Sequence, residues 1–132
     1  MTKLLRKTSS KPTGKELEIL QIVWGKGPSS VKDVHLALGG NPSNGYTTIL
    51  KLMQIMHEKG LLTRQKAGKL HLYKAVTSQE NTNRQLVHKM IETVFQGSAA
   101  QLVLSALGNR KSSKEELDEI RKYLDELEGG QS

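Results

Sequence analysis

The chain has 132 residues, a formal net charge of +7, 36% hydrophobic and 4% aromatic residues, and no cysteine. That length allows one ordinary domain, or a small domain with an appended assembly segment. The lack of cysteine excludes disulfides, thiolate metal sites and a cysteine nucleophile, and it suits a reducing, cytoplasmic setting. No run approaches the roughly 18 apolar residues of a membrane span. The basic start lacks the apolar stretch of a secretory signal.

Residues Met1 to Lys11 carry Lys3, Arg6, Lys7 and Lys11 without apolar period, and are expected to form a flexible basic arm. Pro12 and Thr13 open the first predicted helix, because Thr13 and Glu16 have the spacing of a capping box. Leu17, Leu20 and Trp24 recur at helical spacing with Ile19 and Val23 beside them, until Gly25 to Pro28 ends the run. Ser30 and Asp33 repeat the capping pattern ahead of Val31, Val34, Ala37 and Leu38, the stripe of a short second helix. Gly39-Gly40-Asn41-Pro42 breaks it. A third helix is predicted from about Gly45 to Lys59, with Gly60 as its C-cap.

The period then changes. Leu61 to Gln65 and Leu70 to Lys74 alternate, and Lys66-Ala67-Gly68-Lys69 supplies the turn of a β-hairpin. Helical period returns from about Ser78 to Phe95, with Leu86, Met90, Ile91 and Val94 as its apolar positions, and breaks at Gly97-Ser98. A short apolar helix follows around Leu102, Val103, Ala106 and Leu107. Ser113 and Glu116 then cap a last helix striped by Leu117, Ile120, Leu124 and Leu127. Three helices and a hairpin within residues 12–76 is the order of a winged helix-turn-helix. The fold class expected is mainly α with a small β-hairpin, residues 77–132 forming a helical dimerisation domain.

Charge is unevenly placed. Met1 to Ala75 holds 13 Lys+Arg against 4 Asp+Glu, a net of +9, whereas Val76 to Ser132 holds 7 against 9, a net of −2. A basic first part points to a polyanionic partner, since the sequence-independent share of DNA affinity comes from such charge. On a wheel of about 100° per residue, Ile49, Leu52, Met53 and Met56 of the third helix fall together and face the core. The far side carries Asn44, Thr47, Lys51, Gln54 and Glu58, with Thr48 and Ile55 at one margin. Hydroxyls, amides and lysines are the groups that bond phosphates and base edges. The N-terminal half of such a helix enters the major groove, and its first-turn N–H groups favour a phosphate. Ile55 fits that face poorly. Arg64, Lys66, Lys69, His71 and Lys74 give the hairpin a basic tip able to follow a sugar-phosphate backbone, although an ordinary charged edge would carry the same residues.

The four histidines, His35, His57, His71 and His88, lack close metal-ligand spacing, and no cofactor is expected. No nucleophile elbow, phosphate loop or dinucleotide fingerprint occurs, so no enzyme is expected. The later stripes hold too few residues for an independent core, and Ala99, Ala100, Val103 and Ala106 permit close helix approach. Leu102, Val103, Leu107, Leu117, Ile120 and Leu124 are the expected dimer interface, which would suit a palindromic operator. Packing back onto the winged helix is the alternative.

Gly45-Tyr46-Thr47-Thr48-Ile49-Leu50 followed by Glu58-Lys59-Gly60-Leu61-Leu62 strongly resembles the recognition helix of the penicillinase repressors. That family comprises the bacterial β-lactamase, methicillin-resistance and copper-responsive repressors. Glu16, Glu18, Ile22-Val23-Trp24 and Lys26-Gly27-Pro28 extend the match, as do Gly68 with Leu72-Tyr73 in the wing and Phe95 with Gly97-Ser98 further on. The resemblance runs from about Thr13 to Leu127. It implies a homodimeric repressor that binds double-stranded operator DNA through Thr47, Thr48 and Lys51 and through wing residues from about Arg64 to Lys69; Tyr46, in the same motif, is also a candidate DNA-binding residue. It also implies relief of repression through the dimer segment, with a sensor-controlled protease as a candidate partner. The β-lactam-responsive members are cut at an Asn-Phe bond, and the corresponding stretch here, about Ser105-Ala106, does not match it. The copper-responsive members end in a cysteine-rich motif that this chain lacks. A winged-helix module that binds protein and never DNA is the rival expectation, against which the basic arm and wing argue.

Overall fold

The computed structural model describes residues 11–39 and 44–130. Most of the expected basic arm, Met1 to Ser10, and the breaker Gly40-Asn41-Pro42 lie outside the described residues. Helix α1 spans Gly14–Lys26, α2 Val31–Ala37 and α3 Tyr46–Lys59. Strands β1, Leu62–Ala67, and β2, Leu70–Ala75, follow, and then α4, Gln79–Thr93, α5, Ala99–Gly108, and α6, Lys114–Gly130.

The helix starts form where the side chains dictate them. Thr13 Oγ1 accepts from Glu16 N at 3.3 Å while Glu16 Oε1 accepts from Thr13 N at 2.9 Å, closing the expected capping box of α1. Ser30 and Asp33 close a second box on α2, with Asp33 N to Ser30 Oγ at 3.1 Å and Ser30 N to Asp33 Oδ2 at 3.0 Å. Each box satisfies N–H groups that a helix start leaves without partners. Gly60 ends α3 in the left-handed region, φ 86°, where a Cβ would be strained.

One core holds these elements together: Ile19, Leu20 and Val23 of α1, Val31 and Val34 of α2, Ile49, Met53 and Met56 of α3, Leu62 of β1 and Tyr73 of β2. Each such burial contributes on the order of 1.5–3 kcal/mol relative to exposure. Leu52 and Leu38 are only partly buried against it, and Ala37, expected in the stripe of α2, is exposed. The odd-spaced stripe of so short a helix has room for just two buried positions.

The hairpin is longer and its turn tighter than the sequence suggests. Ala67 pairs with Leu70, so the turn is Gly68-Lys69 alone, and Lys66 stands in β1 opposite His71. Gly68 has φ 64° and Lys69 does not share that sign, as a type II′ turn requires. A third, one-residue strand was not expected: Ser29 N donates to Tyr73 O at 3.0 Å and Tyr73 N to Ser29 O at 2.8 Å. Trp24 Nε1 donates to Thr77 O at 2.9 Å, binding the exit of the hairpin to α1.

The chain divides into two compact units between Arg84 and Gln85, inside α4. In the second unit no described side chain is buried. Phe95 and Val94 N both donate to Met90 O at the end of α4, and Gln96 and Gly97 follow with φ 52° and 88°. Ser98 Oγ then caps α5 by accepting from Gln101 N at 3.1 Å.

Candidate nucleic-acid interface

Burial of Ile49, Met53 and Met56 forces the opposite side of α3 outward. Thr47, Thr48, Lys51 and Gln54 are all exposed on it, and none of their side chains makes a hydrogen bond or ion pair among the described residues. Glu58 lies at the far end of the same face, and Ile55 at its margin is 38% exposed. Tyr46, the first residue of α3, is half-exposed with its ring edge-on to His35 of α2, centroids 5.9 Å apart.

Asn44 departs from the expectation for that face. It is 4% exposed. Its Oδ1 accepts from Lys15 Nζ, and its main-chain oxygen lies 2.9 Å from His35 Nδ1. Asn44 precedes the helix by two residues, where a 100° wheel no longer holds, so its amide turns inward instead of toward solvent.

Strand alternation sorts the wing. Leu62 and Tyr73 are buried, so Arg64 and Lys66 of β1 share their face of the hairpin, with His71 directly opposite Lys66. Lys74, three residues after His71, falls with Thr63 on the other face. Lys69 occupies the turn. The side chains of Arg64, Lys66, Lys69, His71 and Lys74 are exposed and carry no acid partner among the described residues.

The acids of this part of the chain do little to offset that charge. Glu16 is buried and takes Lys59 Nζ at 2.8 Å. Asp33 belongs to the cap of α2, and the Ser30 backbone N–H, then its hydroxyl, hold its carboxyl below the usual range, with smaller help from Lys26 and Lys32. Glu18 and Glu58 alone remain as exposed carboxylates before Ala75.

Three helices, a two-stranded wing, and an uncapped polar helix face beside unpaired cations define a winged helix-turn-helix, a DNA-binding transcriptional repressor. The chain belongs to the penicillinase repressor family, whose model matches residues 12–126. It is similar to the penicillinase repressor of Staphylococcus aureus, 20% identical over 112 residues that cover 85% of this chain and 89% of that protein. It is also similar to the methicillin resistance regulatory protein MecI of Staphylococcus aureus, 24% identical over 109 residues covering 83% and 89%. The transcriptional regulator BlaI of Mycobacterium tuberculosis is 25% identical over 116 residues, 87% of this chain and 83% of that one. Among solved structures, a transcriptional regulator of Thermotoga maritima superposes with a TM-score of 0.51 at 22% identity, over 96% of this chain and 80% of the other. That likeness supports the fold. Among the described residues no helix is long and apolar enough to cross a membrane.

The sequence reading of the later helices missed several large apolar side chains. Leu104 is 62% exposed, and Val87 and Tyr123 are also uncovered, beside the expected Val103 and Leu124. Leu102, Leu107, Leu117 and Ile120 are partly buried. Leu104 stands directly after Leu102 and Val103, and this three-residue apolar run on a short helix was the signal available.

Proposed function

We propose that the protein is a cytoplasmic homodimer that sits on a palindromic operator and is released when its C-terminal helices are disrupted. The observation that carries this is the uncovered apolar surface of α5 and α6, on which Val103, Leu104, Leu124 and Leu127 are all exposed in the single chain. A soluble monomer rarely leaves so many large apolar groups in water, and a two-fold partner would cover them from the same residues on both copies. Leu102, Val103, Leu107, Leu117, Ile120 and Leu124 are assigned to that interface. Tyr46, Thr47, Thr48, Lys51 and Gln54 are assigned to the major groove, and Arg64, Lys66 and Lys69 to the backbone beside it.

Coupling two half-site contacts raises operator affinity through effective concentration, so loss of the dimer releases DNA without touching the reading face. A sensor-controlled protease is one route to that loss. The stretch matching the family's cut, about Ser105-Ala106, lies within α5, so cleavage there would follow local opening of that helix. A ligand at the interface is a second route.

Val103→Lys with Leu124→Lys tests the assignment in the full chain, because both side chains are exposed in one copy and neither supports the winged-helix core. Sedimentation should show a monomer, and a mobility-shift titration should show operator affinity lower by on the order of a hundredfold. A variant that stays dimeric, or keeps parental affinity as a monomer, would refute the arrangement.

A further inference from the structure

The helix that reads DNA is the one in its unit that starts without a side-chain cap. Both α1 and α2 begin with reciprocal capping boxes, whereas Gly45, the N-cap of α3, supplies no side-chain hydrogen bond. Its start is held from two other helices instead. Lys15 Nζ of α1 donates to Asn44 Oδ1, and His35, in the last turn of α2, donates from Nδ1 to the Asn44 carbonyl at 2.9 Å. A carbonyl oxygen only accepts, so Nδ1 carries the hydrogen. The neutral ring therefore has its lone pair on Nε2. The same ring meets Tyr46 at an interplanar angle of 80°, an edge-to-face geometry that fixes both rings.

We propose that His35 is a positioning residue for DNA recognition: its Nδ1–H and its ring hold Asn44 and Tyr46, and thereby set where Thr47, Thr48 and Lys51 meet the base edges. This rests on the DNA-binding reading of α3. Hydrogen bonds to bases need donor and acceptor within about 2.7–3.2 Å, so a shift of the first turn by an ångström removes them. The cations of the wing act on phosphates through charge and tolerate such a shift. Loss of the His35 donor therefore lowers discrimination between sequences while leaving the salt dependence of binding and the fold in place.

The test uses a duplex selected by the parent protein from a randomised pool, and a scrambled duplex of the same composition. His35→Phe keeps a ring beside Tyr46 and deletes the donor. Its affinity ratio for selected over scrambled duplex should fall about tenfold, the free energy of roughly one hydrogen bond, with the salt slope unchanged and the protein still folded at the temperature of the binding measurement. Should Phe at this position fail to fold, His35→Asn and His35→Gln replace it. The Asn amide stands where Nδ1 does and should keep the ratio within about threefold, whereas the Gln amide is one bond further out and should lose about tenfold. Nitrogen NMR of the neutral imidazole in the parent should report hydrogen on Nδ1 of His35 and none on Nε2. A parental ratio in the Phe variant, equal ratios for Asn and Gln, or the opposite tautomer would each overturn the role of His35. A parent that selects no sequence would remove the DNA-binding reading, and this proposal with it.

Discussion

Lys59, the last residue of the recognition helix, reaches the buried carboxylate of Glu16 in the first turn of α1, Nζ to Oε1 at 2.8 Å. The same oxygen accepts from Thr13 N in the capping box. Lys15, the neighbour of Glu16, binds Asn44 ahead of α3. Two adjacent residues of α1 thus hold both ends of the recognition helix. The pair is unequal: the Glu16 side chain is 3% exposed and that of Lys59 26%.

That inequality predicts which partner is the worse to lose. Lys59→Met strands a buried carboxylate on one remaining donor, and should cost about 2–3 kcal/mol of stability in a denaturant titration. Adding Glu16→Gln removes the charge and should recover part of the loss. A double variant no more stable than Lys59→Met would show that the carboxylate finds another partner.

The two faces of α3 should separate binding from folding. Lys51→Ala and Thr47→Val are expected to weaken binding to a selected duplex by about 1–3 kcal/mol each at parental melting temperature. Met53→Ala removes a fully buried side chain and should destabilise the fold by about 2–5 kcal/mol. Unchanged affinity in the first two, with an unchanged melt in the third, would invert the assignment.

Within the wing, Arg64→Ala and Lys66→Ala should each lower DNA affinity and reduce the slope of log affinity against log salt by about 1. Lys74→Ala, on the opposite face of the hairpin, should change the slope by much less. Equal slopes for the three variants would mean that net charge matters and hairpin face does not.

The cap of α2 gives a pH dependence with a definite sign. The Ser30 hydrogen bonds lower the folded-state pKa of Asp33, so its contribution is complete above the unfolded value of about 3.9. It is lost as pH falls through the lower folded value. Asp33→Asn should therefore melt below the parent above about pH 5, with the gap closing as the solution is acidified. A gap that stays constant from neutral pH into acid would exclude the carboxylate charge as its source.

Local chemistry was legible in the sequence because it depends on residues a turn apart. Thr13 with Glu16, Ser30 with Asp33, Gly60 after Lys59, and the stripe of Ile49, Met53 and Met56 needed only helical spacing to be placed, and the structure has each of them where spacing puts it. The surplus of Lys and Arg before Ala75, and the tyrosine-threonine-threonine run, already pointed to DNA. What the sequence could not decide were pairings across long separations. Asn44 falls on the exposed side of an ideal wheel, yet Lys15, 29 residues earlier, and His35 on another helix draw it inward. The hairpin register, which separates Arg64 and Lys66 from Lys74, follows from a two-residue turn and from the burial of Leu62 and Tyr73 against the helices. Ser29 pairs with Tyr73 through main-chain groups that every residue carries, so no side chain could announce it. Backbone pairing and the direction of a polar side chain outside a helix are set by what the folded chain brings alongside, and only the tertiary structure supplies that.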